Sequence, residues 1–302
     1  MILLIQQPPH LRHSTTAKWE QFFNNFDLKS RPIPHLWSFN FNSKASFKCF
    51  CSRNGTTHEA FQGFSALPRD APWDNDIAWS TMALYIFSLH IPLSFGSLSL
   101  VSQLMHIPVL DPQTKALSRL AIQTLEFIVT LLLLKVTAKP NYRLMTFFRD
   151  NELCSKRNWL FASALGVGVL LSLVFLTSLL AERVIGPKAI NDPVLKEILD
   201  SSNISRAACF TAYCVVTPFL EETVYRGFLL ASISSEMQWQ QAVIVSSAVF
   251  SAAHLSVENS LQLFIIGCVL GFSYCWTGNL RSSILIHSLY NAMTLLLTYL
   301  SH

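Results

Sequence analysis

The chain has 302 residues, 51% of them hydrophobic and only 13% charged, with a mean hydropathy of +0.37. A soluble domain carries about 25% charged residues, so this balance, with several apolar runs near the about 20 residues that span a bilayer, excludes a large soluble protein. A formal net charge of +4 is too small to point to nucleic acid as a partner.

The first 53 residues read as an address. Arg12, Lys18, Lys29, Arg31, Lys44, Lys48 and Arg53 face only Glu20 and Asp27, and hydroxyl residues are scattered throughout. A basic, acid-poor, Ser-containing leader has the composition of an organellar transit peptide. Poor in Arg and rich in Ser and Phe, it suits a plastid better than a mitochondrion, with Phe47-Lys48-Cys49-Phe50-Cys51-Ser52 as a processing region. The expected location is therefore a chloroplast membrane, envelope or thylakoid; a cytosolic tail without a fold is the competing reading. The seven cysteines show no zinc-finger spacing.

A polar linker follows at residues 54–76. Apolar stretches then run over about 77–105, 117–134, 159–181, 207–232, 242–255, 261–276 and 284–300. The expected fold is all-α, a polytopic transmembrane bundle of about seven spans, with six to eight compatible. Residues 77–204 supply N-terminal transmembrane helices, and residues 205–302 a four-helix C-terminal core. The basic loop at 135–158 should face the side from which insertion occurs, the stroma for a plastid protein. The loop at 182–206, mixed in sign, fits the opposite face.

Three polar clusters interrupt the last four spans: Glu221-Glu222 with Arg226, Phe250 with His254, and His287 with Asn291. An ionisable group at the bilayer centre costs about 2.5–3.5 kcal/mol and is a functional candidate by default. Residues four apart share a helix face, so Glu222 reaches Arg226 while Glu221 points about 100° away. Taken singly, each has a plain reading: a buried ion pair for Glu222 and Arg226, helix–helix contacts for the histidines and Asn291, packing for Phe250. Counted from the polar turn at 234–240, Glu221 and His254 both lie about 20 Å deep. His287, only a few residues past the turn near Gly278, comes out about 10 Å shallower unless a helix tilts or stops short. Among the other polar residues, His90 and His106 are expected near an interface, Glu126 as a packing partner or boundary residue rather than a catalyst, and Gly267 with Gly271 at a close helix contact.

With the three clusters in view, residues 205–300 resemble the CAAX protease and bacteriocin-processing (CPBP, or Abi) family, whose pattern is Glu-Glu-x-x-x-Arg, Phe-x-x-x-His and His-x-x-x-Asn on membrane helices. The resemblance implies an intramembrane endopeptidase acting on membrane-associated protein substrates. Glu221 and His254 would activate water, His287 and Asn291 would stabilise the oxyanion, and Glu222, Arg226 and Phe250 would support the site. Either no cofactor or zinc is implied; Glu221, His254 and His287 would be the metal ligands. The alternative function is a non-catalytic scaffold that binds or stabilises other plastid membrane proteins.

Overall fold

The computed structural model describes residues 64–67, 72–140, 142–148, 157–185 and 193–300, which belong to one structural unit. The expected leader, part of the linker and Cys154 lie outside the described residues. These form helices and turns with no strand among them. Eight helical stretches follow in order: α1 (Asp76–Leu104), α2 (Pro112–Thr137), α3 (Trp159–Ile185), α4 (Pro193–Ser201), α5 (residues 203–233), α6 (Trp239–Ala253), α7 (Ser260–Thr277) and α8 (Leu280–Leu300).

Five of them are long and apolar enough to cross a membrane: α1, α2, the Trp159–Leu180 part of α3, α7 and α8. The protein is a multi-pass helical bundle. The two remaining expected spans are helical in the expected places but differ in kind. α6 has only 15 residues, about 22 Å of helix, and α5 carries Glu221, Glu222 and Arg226 in its middle.

Local chemistry sets the boundaries. Asp111 caps α2 by accepting the Thr114 N–H at 3.0 Å, with Pro112 at the first position, where a missing N–H does no harm. That bond from Thr114 holds the Asp111 carboxyl below its ordinary range. α7 ends at Gly278, whose φ of 64° is the left-handed cap that glycine adopts without a Cβ clash. The 182–206 segment is more than the expected loop. Leu195, Ile198 and Leu199 in α4 are spaced to share one face, and they pack with Ala208, Cys209, Tyr213 and Leu295.

Small residues bring the C-terminal helices together. A Cβ on Gly267 would meet Ser247 at 2.9–3.0 Å, and one on Gly271 would meet Val243 at 3.0 Å. α7 therefore lies against α6 at the small-residue face read from the sequence. α8 packs along α3, where Ile286 fills the space beside Gly166.

α8 begins far below the end of α5. Leu280 lies 3.2 Å from the Cβ position of Gly227, six residues before Ile233, which is about 9 Å of helix. The connecting turn is correspondingly buried: Thr277, Ser282 and Ser283 are 0% exposed and Asn279 1%. It satisfies much of its own polarity, with Thr277 Oγ1 2.9 Å from Ser282 Oγ and the Arg281 N–H donated to Asn279 Oδ1 at 3.0 Å. This sunken start removes the depth discrepancy expected for His287.

His90 departs from its expected interfacial position. It is buried and lies 2.9 Å from Glu126 on α2, because wide turns at Tyr85–His90 and Pro92–Gly96 rotate it inward from α1. His106, by contrast, is exposed just past the end of α1.

Gly267→Ala is expected to destabilise the detergent-solubilised protein by about 1–3 kcal/mol through overpacking against Ser247. Gly168→Ala, whose Cβ meets nothing within 4 Å, should leave the thermal midpoint equal or higher. Thermal unfolding of the two variants side by side checks this.

Candidate active site

The three clusters converge on α5. Its helix changes pitch twice: wide π-turns at Ala212–Val216 and Thr223–Leu230 flank the α-helical segment Thr217–Glu222. Pro218 supplies the reason for the first, since it lacks an N–H and its ring crowds the preceding turn. Such wide turns recur at functional sites, and here they bracket the Glu pair.

Glu222 and Arg226 are 0% and 1% exposed. Arg226 Nη1 donates to Glu222 Oε1 at 2.9 Å, and Nη2 donates to the Gly267 carbonyl at 3.1 Å. The guanidinium also lies 4.6 Å from the Phe250 ring centroid, where the ring face attracts a cation. Sequence reasoning missed one partner: His287 Nδ1 is 2.8 Å from the same Glu222 oxygen. Its signal was only the arithmetic of depth, which had placed His287 elsewhere.

Glu221 faces both histidines. His254 Nε2 lies 3.7 Å from its Oε1, and His287 Nε2 lies 3.7 Å from its Oε2. Hydrogen-bond logic fixes the ring protons. His254 Nδ1 is 2.6 Å from the Phe250 carbonyl, which can only accept, so Nδ1 carries hydrogen. His287 Nδ1 likewise donates to the Glu222 carboxylate. A ring with no second proton presents an Nε2 lone pair toward an oxygen of Glu221. Acceptor facing acceptor in a buried site calls for a shared proton or a donating water. Neither Nε2 has a hydrogen-bond partner among the described residues.

Phe250 is the wall of this site. Its ring lies 4.6 Å from that of His254 and 6.4 Å from that of His287, and meets Tyr225 edge-on at 5.1 Å. α6 ends one residue before His254, and Leu255 takes a φ of 49°, so His254 stands at a sharp chain reversal.

Asn291, one turn beyond His287, donates from Nδ2 to the Tyr213 carbonyl at 2.8 Å. Tyr213 lies in the turn from which Pro218 removes an N–H. Asn291 therefore ties α8 to the backbone of that wide turn. Its Oδ1 has no hydrogen-bond partner among the described residues.

The donors are set slightly wider than a tetrahedral zinc ion would hold them. Tetrahedral zinc with bonds of 2.0–2.1 Å holds neighbouring donors about 3.4 Å apart, whereas the Glu221 oxygens stand 3.7 Å from each imidazole. Among the described residues no set of three His, Cys, Asp or Glu side chains has the geometry of a metal site.

Residues 203–293 match the family described as type II CAAX prenyl endopeptidase Rce1-like. Over 78 residues the chain is 30% identical to an Escherichia coli protein described as an uncharacterized 24.3 kDa protein, covering 24% of this chain and 36% of that one. The chain thus spans about a third of the length of this curated relative. No solved structure gives a significant match.

Arg226→Met should destabilise the protein by about 3–5 kcal/mol, because it leaves the Glu222 charge buried without its main partner. The double variant Glu222→Gln/Arg226→Met should recover a substantial part of that loss. Thermal unfolding in one detergent, with helicity as the readout, compares the three proteins.

Proposed function

We propose that this chain, Rce1-like over residues 203–293, is an intramembrane endopeptidase that hydrolyses membrane-associated protein substrates with a water activated by Glu221 and His254. One observation carries the reading: the oxygens of a single buried carboxylate each face an imidazole Nε2 at 3.7 Å. A scaffold has no need of two acceptors aimed at a third.

In the proposed reaction Glu221 takes a proton from water, with His254 Nε2 as the second acceptor that aligns it. The hydroxide adds to the scissile carbonyl carbon and its oxygen becomes an oxyanion. His287, holding at Nε2 the proton shared across the resting site, donates to that oxyanion, with the Glu222 carboxylate as the counter-charge at its Nδ1. Asn291 fixes the helix face that presents His287 and supplies the second N–H of its amide. Glu221 then returns the proton to the leaving nitrogen as the C–N bond breaks, giving a carboxylic acid, which keeps the second proton of the water, and an amine. Glu222, Arg226 and Phe250 hold the rings and carboxylates in place.

We further propose that no metal takes part, on the grounds of the donor spacing above. The composition of residues 1–53 supports a chloroplast membrane as the location.

Glu221→Gln and His254→Ala should each lower kcat by about 10²–10⁴-fold on a membrane-anchored peptide while leaving helicity unchanged. Asn291→Ala should cost less than either. Cleavage assayed in proteoliposomes checks the order, and full activity of Glu221→Gln would sink the reading. Metal analysis of the active preparation should give less than about 0.1 zinc per chain.

A further inference from the structure

A second buried polar group lies outside the matched motifs. Glu126 on α2 is 1% exposed. Its Oε1 accepts from Tyr85 OH at 3.2 Å and lies 2.9 Å from His90 Nδ1, both on α1. The Tyr85 and His90 rings stack with centroids 5.5 Å apart. Three polar side chains at membrane depth are expensive, and packing alone would be better served by apolar residues.

The fourth member is Tyr225. It is 0% exposed, shares its buried cluster with Tyr85, and lies four residues beyond Glu221 on α5. One helical turn brings Tyr225 back to the face of α5 that carries Glu221, and Glu221 and Glu126 both act electrostatically on Tyr225 and on Tyr85. The ring is held rigidly, edge-on to Phe250 at 5.1 Å, and its backbone carbonyl accepts from Ser246 Oγ at 2.8 Å. Its hydroxyl nevertheless has no hydrogen-bond partner among the described residues. A buried hydroxyl left without a partner costs about 1–3 kcal/mol, and phenylalanine would fill the same space without that cost.

We propose that Tyr225 is a positioning residue of the reaction: its hydroxyl, steered by the Tyr85–Glu126–His90 triad, hydrogen-bonds through water to the Glu221 carboxylate and sets the angle at which that carboxylate meets the attacking water. The N-terminal helices thereby reach the chemistry without touching the substrate. The kinetic half of this inference rests on the endopeptidase reading; the hydrogen-bond half does not.

The test uses the full chain in proteoliposomes. Infrared difference spectra between wild type and Glu221→Gln identify the Glu221 carboxyl band. In Tyr225→Phe that band should shift, and Glu126→Gln should shift it too. Loss of one such hydrogen bond should lower kcat about tenfold with KM unchanged. The thermal midpoint should not fall, since no protein group loses a partner. An unmoved Glu221 band in Tyr225→Phe overturns the inference, as does an unchanged kcat in that variant beside an active wild type. If the wild type cleaves nothing, the endopeptidase reading fails while the band still decides whether Tyr225 is coupled to Glu221.

Discussion

Glu222 Oε1 accepts from two donors at once, Arg226 Nη1 at 2.9 Å and His287 Nδ1 at 2.8 Å. Through Arg226 the same group reaches the Gly267 carbonyl, so one carboxylate ties α5, α7 and α8 together. Burial of its charge is tolerable only with all these partners present. The consequence for the site is geometric. With Nδ1 of His287 committed to Glu222 and Nδ1 of His254 committed to the Phe250 carbonyl, the two Nε2 atoms have one direction left, toward Glu221. Glu221 is thereby framed by its own neighbour in the sequence, whose oxygen is held by Arg226 and His287.

Packing makes that arrangement possible. Gly267 and Gly271 let α7 approach α6 until Ser247 and Val243 touch its backbone, which brings the Gly267 carbonyl within reach of Arg226. Phe250 then fills the space among Tyr225, Arg226, His254 and His287. Its single ring serves as spacer, cation–π partner and, through its carbonyl, the group that selects the His254 tautomer.

Much of this was legible beforehand. Apolar runs located the helices because hydrophobic length is what the bilayer reads, and helix rise alone put Glu221 level with His254. What failed to show were features with no local signature. The sunken turn of α8 depends on Thr277, Asn279 and Ser282 bonding among themselves, and the same residues elsewhere would read as an exposed loop. His90, which flanks the first apolar stretch, reads as interfacial, whereas the wide turns around Pro92 rotate it onto Glu126. Pairing between Glu222 and His287 spans 65 residues, beyond any periodicity argument.

That separation also bears on how the protein is made. α5 carries two carboxylates and a guanidinium that the bilayer centre resists at about 2.5–3.5 kcal/mol per charge. Arg226 and Glu222 can neutralise each other within the helix, but the Gly267 carbonyl is synthesised 41 residues later and His287 65 residues after Glu222. The polarity of α5 is therefore satisfied only once α7 and α8 are packed against it, and a chain cut short before α8 would leave Glu222 without its His287 partner.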